Sequence, residues 1–174
     1  MRTLVFSAIA VCATVAAILV PDAKPAVTVA GLTVLAIAGL ACGRRVRSEV
    51  AYALFISFLL NFLVPHIYTP PDFAFFGGSF STFSFVGWAV GLTALGRIYR
   101  SWQWENRWAV SLIAYYAVLF TAEYAGYHLL DIRLAGDLPS FLGTGVLHGT
   151  LKLHVAYVLA GPVYLFVVDR FAWS

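Results

Sequence analysis

Charged residues are scarce in this chain: Asp, Glu, Lys and Arg together make up only 11% of its 174 residues. A soluble domain typically has about 25% charged and about 45–50% apolar residues, whereas 61% of this chain is hydrophobic. Since no polar stretch is long enough for a separate soluble domain, we expect one domain over residues 1–174. The excess of apolar surface predicts an integral membrane protein.

Cysteine is also rare, with only Cys12 and Cys42 in the chain. Cys12 lies within the first apolar stretch and Cys42 at the end of the second, whereas a disulfide requires Cα atoms within about 7 Å. Neither residue belongs to a CxxC pair. We therefore expect two buried free thiols, and neither thiol redox chemistry nor a thiolate metal site.

Metal-binding motifs and basic stripes are both lacking. The four histidines (His66, His128, His148 and His154) form no HxxxH, HxH or HExxH motif, so we predict neither a bound metal nor a haem or other cofactor. The net charge of +3 comes from short basic clusters beside apolar stretches, which membrane topology explains. A nucleic-acid partner is not expected.

What the chain does contain is a series of long apolar stretches. A bilayer core of about 30 Å requires about 20 helical residues, and continuous apolar runs favour helices over a β-barrel. The sequence predicts an all-α integral membrane protein, a six-transmembrane-helix bundle. Its predicted spans, numbered 1 to 6, cover residues 3–20, 26–42, 50–66, 82–98, 107–128 and 145–169.

Positive charges predict the orientation of the bundle. One set of span ends carries Arg2, Arg44, Arg45, Arg47, Arg97, Arg100, Arg107 and Arg170, whereas the other carries Lys24, Arg133 and Lys152. This bias predicts that the N-terminus and the C-terminus are both cytoplasmic, in a prokaryotic inner membrane. Span 1 could instead be a signal peptide, but its apolar run of about 18 residues exceeds the usual h-region of about 7–15 residues. Cleavage would leave five spans in the same orientation.

Small residues recur in spans 1 and 2, which allows the backbones of helices to approach closely. They are Ala8, Ala13, Ala16, Ala17, Ala30, Gly31, Ala36, Ala38 and Gly39. One interpretation is that span 1 packs on span 2. The other is that these two spans bind a partner membrane subunit.

Four polar residues on three predicted spans fall at a similar depth, toward the side with few positive charges: Asn61, Glu123, Lys152 and His154. Ionisable groups at that depth are costly, and they usually pair or serve a function. In one interpretation, Glu123 and Lys152 form an ion pair that holds span 5 against span 6.

In the other interpretation, these residues line an outward-facing polar pocket with Glu123 and His154 as catalytic acid–base groups. The residues expected to contact a ligand are Asn61, Tyr124, Tyr127, His128, His148 and Lys152. Helical spacing places His148 and Lys152 on one face, and Tyr124 and His128 on another.

Two loops are predicted to cover this polar layer, and a proline lies beneath it. Residues 65–80 are rich in aromatic side chains and suit either a lid or a segment that rests on lipid headgroups. Residues 130–145 form the second loop. Pro162 removes a backbone hydrogen bond within span 6, which either aims the start of that helix at the pocket or reflects ordinary proline use in transmembrane helices.

Three functions fit these features. The first is an intramembrane acid–base enzyme that acts on a lipid or isoprenoid-type substrate. The second is a transport or solute-binding subunit, since the helix number and chain size resemble those of the substrate-binding subunits of energy-coupling-factor vitamin importers. The third is a non-catalytic accessory subunit of a larger membrane complex, in which the Glu123–Lys152 pair is structural. Membrane lipids are the expected surroundings in every case.

Overall fold

The fold is predominantly helical, as predicted. The computed structural model describes residues 23–64, 68–69, 74–75, 80–103, 105–129, 131–136 and 138–171. Its helices are α1 (Ala23–Ala41), α2 (Arg44–Leu63), α3 (Thr82–Ser101), α4 (Arg107–Tyr124) and α5 (Leu151–Phe171). A π-helical turn, Ala125–Leu129, extends α4. Span 1, with Cys12, lies outside the described residues.

Three of these helices are long and apolar enough to cross a membrane: α2, α5, and α4 together with its π-helical turn. Helix α1 is a shorter apolar helix. Helix α3 has 20 residues but carries two arginines in its second half, Arg97 and Arg100. The helical prediction is therefore confirmed, whereas the number of spans stays a prediction.

The helices α2 to α5 alternate in direction, so that different types of side chain collect at the two ends of the bundle. At one end, which we call the arginine end, α2 begins at Arg44, α3 ends beside Arg100, α4 begins at Arg107 and α5 ends beside Arg170. The opposite end carries His128, His148 and His154, and we call it the histidine end.

Helix α3 lies at the centre of the bundle and packs against α1, α2, α4 and α5. Gly31 is one of the small residues of span 2, and a Cβ atom there would overlap Val86 of α3. At least this part of the small-residue face therefore serves packing of α1 on α3. The predicted packing of span 1 on span 2 falls outside the described residues, and docking of a partner subunit stays a prediction.

Short strands join the loops at the histidine end. β1 (Tyr68–Thr69) pairs antiparallel with β4 (Arg133–Leu134), and β2 (Ala74–Phe75) pairs antiparallel with β3 (Phe80–Ser81). The β1–β4 pair connects the two loops that were predicted to cover the polar layer. His66 and much of the first loop lie outside the described residues.

Candidate functional site

The Glu123 carboxylate of α4 is held by a tyrosine of the neighbouring helix. The hydroxyl of Tyr157 on α5 donates a hydrogen bond of 2.9 Å to Oε1 of Glu123. Tyr157 is buried and packs against Trp88 of α3, with ring centroids 5.5 Å apart. Because Tyr157 is fixed on both sides, the carboxylate has a defined position between α4 and α5.

The predicted ion pair between Glu123 and Lys152 is not formed within the described part of the chain. Lys152 is the second residue of α5, and its side chain is exposed. Span 6 was predicted to begin at residue 145, which placed Lys152 too deep. Since α5 begins at Leu151, Lys152 lies at the end of the helix, where it reaches water readily.

Helix α5 is also held by two consecutive tyrosines of α4, at the point where Pro162 interrupts its backbone hydrogen bonds. Proline has no N–H, so the carbonyl of Val158, four residues earlier, loses its usual donor. The hydroxyl of Tyr116 donates to this carbonyl at 2.9 Å, and the hydroxyl of Tyr115 donates to the carbonyl of Tyr157 at 2.5 Å.

Gly161 makes this approach of α4 possible. A Cβ atom at Gly161 would lie 2.6 Å from Cδ1 of Tyr115, closer than van der Waals contact allows. The structure thus explains both residues of the Gly161-Pro162 pair. Gly161 leaves room for the Tyr115 ring, and Tyr116 donates to the carbonyl that lacks its helical donor because of Pro162. Both contacts help to set the position of Tyr157.

His154 lies one turn before Tyr157, on the buried side of α5. Its Nε2 atom is 2.6 Å from the carbonyl oxygen of Leu147. Since a carbonyl only accepts hydrogen bonds, Nε2 carries the hydrogen, and in the neutral ring Nδ1 keeps its lone pair. Phe141 covers the ring edge-on, with centroids 5.4 Å apart. Because i,i+3 residues of a helix are neighbours, with Cβ atoms about 5–6 Å apart, His154 lies close to the Glu123–Tyr157 pair.

The segment before α5 shapes this side of the site. Leu147 is buried with Leu134, Leu153 and Tyr157, and its backbone has a positive φ of 52°. Residues 145–150 are therefore not helical, and the predicted shared helical face of His148 and Lys152 is wrong. The positive φ of Gly145, 73°, explains why the helix does not start there.

His148 instead stacks on Tyr127, with ring centroids 3.7 Å apart and an interplanar angle of 9°. The guanidinium of Arg133 lies 4.9 Å from the centroid of the same tyrosine ring. Burial lowers the pKa of His148 below its ordinary value, and electrostatic interactions with the neighbouring His128, Arg133 and His154 lower it further. At neutral pH this imidazole is therefore uncharged.

Tyr124 and His128 form a second ring pair, with centroids 4.6 Å apart, as their predicted shared face requires. Nε2 of His128 donates to the carbonyl of Gly145 at 3.0 Å. The His128 and His148 rings are 6.4 Å apart. The structure thus brings four of the predicted ligand contacts together at the histidine end: Tyr124, Tyr127, His128 and His148.

Asn61 of α2 is buried, and its Nδ2 donates to the carbonyl of Ser57 at 3.0 Å. Its Oδ1 and the Oγ of Ser57 are buried without a hydrogen-bond partner among the described residues. Asn61 therefore faces the interior, but the contacts described for it lie within its own helix. Its role as a ligand contact stays a prediction.

Sequence reasoning missed the charged pair at the arginine end. Glu49 of α2 is completely buried, and it forms an ion pair with Arg100 of α3. The hydroxyl of Tyr164 donates to the backbone carbonyl of Glu49 at 3.3 Å. Glu49 lies just before the predicted span 3, which begins at residue 50 because four charged residues in positions 44–49 interrupt the apolar pattern. Hydropathy therefore does not predict that α2 already begins at Arg44.

In the part of the chain that the structure describes, no group of three or more His, Cys, Asp or Glu side chains is arranged to hold a metal ion. Comparisons of the chain with known protein families, with curated proteins and with solved structures find no match. The site has to be interpreted from its own geometry.

Proposed function

We propose that this protein is a multi-pass membrane enzyme that performs acid–base chemistry on a lipid or isoprenoid-type substrate. The observation that carries the proposal is the Glu123–Tyr157 hydrogen bond of 2.9 Å, with His154 one turn away on α5. A carboxyl group inside an apolar helix is costly, and here no described ion pair offsets that cost. A catalytic role gives a reason for its presence.

The two titratable groups suit complementary tasks. Because the hydrogen on Nε2 of His154 is donated to the Leu147 carbonyl, the other ring nitrogen, Nδ1, is the atom that can accept a proton. Glu123 is the second proton carrier, and Tyr157 orients it. Acid–base catalysis requires such groups in fixed positions near the substrate. In this proposal Tyr124, Tyr127, His128, His148, Lys152 and Asn61 contact the polar group of the substrate.

A lipophilic substrate can approach this site from the side of α4. Only 11% of the most apolar stretch of α4 and its π-helical turn is buried by the described residues, against 50% in α5. Tyr124 and Leu129 are exposed on this helix. Glu123 therefore lies on the least covered helix long enough to cross a membrane, where a molecule dissolved in the bilayer meets it directly.

We also propose six spans, with both termini on the cytoplasmic side of a prokaryotic inner membrane. The alternating directions of α2 to α5 support this topology, and so does the concentration of arginines at one end of the bundle. In this orientation the histidine end faces outward.

The experiment begins with native mass spectrometry of the protein purified in mild detergent, which identifies a bound lipophilic molecule. That molecule then serves as the substrate for Glu123→Gln, His154→Ala and Tyr157→Phe variants. Glu105→Gln is the matched control, since Glu105 is exposed at the arginine end. We expect Glu123→Gln and His154→Ala to reduce kcat at least about a hundredfold, as is usual for loss of acid–base catalysis.

Tyr157→Phe should reduce kcat less, because it removes only the group that orients Glu123. Full activity in both the Glu123 and the His154 variants would refute the proposed assignment. A tightly bound molecule that the wild-type protein never converts would instead indicate a solute-binding subunit.

A further inference from the structure

Helix α2 has an open groove at the arginine end, far from the proposed catalytic site. Arg44, Arg47, Ser48 and Ala51 line this groove, whose volume is about 470 Å³. The groove is open to its surroundings rather than enclosed. It can therefore contact a compact polar group on one side.

The guanidinium groups of this groove are available to a ligand. Neither the Arg44 nor the Arg47 side chain forms an ion pair or hydrogen bond with the described residues. Both side chains are exposed. Arginine binds phosphate through two parallel hydrogen bonds, so the groove complements an anion of the phosphate type.

An apolar aromatic stripe continues from the groove along the same face of α2. Phe55, Phe58 and Phe62 are exposed by 60%, 41% and 63%, and the rings of Phe58 and Phe62 stack with centroids 5.9 Å apart. These positions follow Arg44, Ser48 and Ala51 at alternating spacings of three and four, which keeps them on one side of a helix.

Two residues of the stripe lie at a depth that one leaflet of a bilayer covers. From Ala51 to Phe58 the helix rises by roughly 10 Å, at 1.5 Å per residue, which is less than half of a hydrocarbon core of about 30 Å. Phe62, by contrast, is the last residue but one of α2, near the histidine end. A molecule with its anionic group in the groove would thus have its hydrocarbon chain beside Phe55 and Phe58.

We propose that this face of α2 binds an anionic glycerophospholipid of the surrounding membrane. Arg44 and Arg47 bind the phosphate, Ser48 lines the same groove, and an acyl chain lies along Phe55 and Phe58. Charge complementarity selects an anionic headgroup over a zwitterionic one, because a choline group would bring its own positive charge close to the two arginines. This lipid site is independent of the proposed catalytic site at the histidine end.

The test measures the thermal unfolding midpoint of the full chain in detergent as dioleoylphosphatidylglycerol or dioleoylphosphatidylcholine is added. We expect phosphatidylglycerol to raise the midpoint more than phosphatidylcholine. The Arg44→Gln/Arg47→Gln variant should need about tenfold more phosphatidylglycerol, or greater, for the same shift. Arg45→Gln/Arg170→Gln, which removes the same charge at the same end, should respond like the wild type.

A second variant, Phe55→Ala/Phe58→Ala, tests the acyl-chain contact. It should lose most of the response to dioleoylphosphatidylglycerol while it keeps the response to the dihexanoyl form. Because all of these side chains are exposed, the unliganded variants should unfold at nearly the wild-type temperature.

Three results would overturn the proposal. Equal losses in the two arginine pairs would mean that the whole surface attracts anions without a site. An equal shift with inorganic phosphate would show that no lipid is required. Conversion of a dimer to a monomer by Arg44→Gln/Arg47→Gln, with the lipid response unchanged, would assign this face to a second copy of the chain.

Discussion

Tyr157 connects most of the groups on which the proposed chemistry depends. Its hydroxyl donates to Glu123, its ring packs on Trp88, and its backbone carbonyl accepts from Tyr115. A single side chain thereby sets the distance between a carboxylate of α4 and the helix that carries His154. This explains why a buried tyrosine stands at this position, where phenylalanine would fill the same space.

Because the pKa of His148 is lowered, we expect the stability of the folded protein to depend on pH. Because the pKa of His148 in the folded protein lies below its value of about 6.5 in an unfolded chain, the unfolded chain binds more protons near that pH. The free energy of unfolding should therefore fall as the pH drops from about 7.5 to about 5.5.

His148→Phe should weaken this pH dependence, since phenylalanine keeps the stack on Tyr127 and does not titrate. Thermal unfolding in detergent across this pH range measures the effect. An unchanged slope in the variant would mean that other groups cause the pH dependence.

The buried Glu49–Arg100 ion pair should contribute strongly to the stability of the folded protein. Removal of one partner leaves a buried charge without its counterpart and typically costs about 3–5 kcal/mol. Glu49→Gln should therefore lower the unfolding temperature strongly. The Glu49→Leu/Arg100→Met variant should recover much of that loss, because an apolar pair of similar size needs no desolvation of charge. A double variant less stable than Glu49→Gln would contradict this account.

Some candidate site residues could be predicted from the sequence, because a polar residue deep within an apolar stretch is unusual. Glu123, His154 and Asn61 could be recognised in this way. The partners of these residues could not, since they depend on how one helix is rotated against another. Neither the Glu123–Tyr157 contact nor the Glu49–Arg100 pair follows from spacing along a single helix.

At the scale of elements, α4 and α5 are held together by polar contacts along their length: Tyr115 and Tyr116 donate to α5 carbonyls, Glu123 accepts from Tyr157, and Arg107 pairs with Asp169. The position of the α5 segment that carries His154 thus depends on these bonds.

The interplay of Tyr116 and Pro162 can be tested with a double-mutant cycle. Tyr116→Phe removes the donor to the Val158 carbonyl and should cost about 1–3 kcal/mol. In a Pro162→Ala background a backbone N–H returns to the helix, so the same change should cost less than about 1 kcal/mol. Equal costs in the two backgrounds would show that Tyr116 does not replace the missing donor.

The centres of the helices could be predicted from hydropathy, but several of their ends could not. Helix α2 begins at Arg44 rather than at residue 50, because hydrogen bonding and the Glu49–Arg100 pair continue the helix through charged residues. Helix α5 begins at Leu151 rather than at residue 145, because Gly145 and Leu147 adopt positive φ angles. The predicted ion pair of Lys152 failed for this second reason.

At the scale of the whole molecule, the two ends of the bundle have different roles in this account. The arginine end holds the buried Glu49–Arg100 pair and the proposed lipid groove, and the histidine end holds the proposed catalytic site. In the proposed orientation, the arginine end lies on the cytoplasmic side and the histidine end on the outer side.

Cysteine labelling of intact cells tests that orientation. In a background without Cys12 and Cys42, a membrane-impermeant maleimide should label Ala135→Cys, which is exposed near the histidine end. Glu105→Cys, at the arginine end, should be labelled only after the membrane is permeabilised. The reverse pattern would place the proposed catalytic site on the cytoplasmic side.

The most direct test of the catalytic claim is a comparison of lipid profiles. Wild-type protein, Glu123→Gln and Glu105→Gln are each reconstituted into liposomes made from a membrane lipid extract, and the lipids are followed by liquid chromatography and mass spectrometry. At least one lipid should change in mass or retention time with the wild type and with Glu105→Gln, and should not change with Glu123→Gln. Identical lipid profiles for the wild type and Glu123→Gln would contradict the catalytic claim.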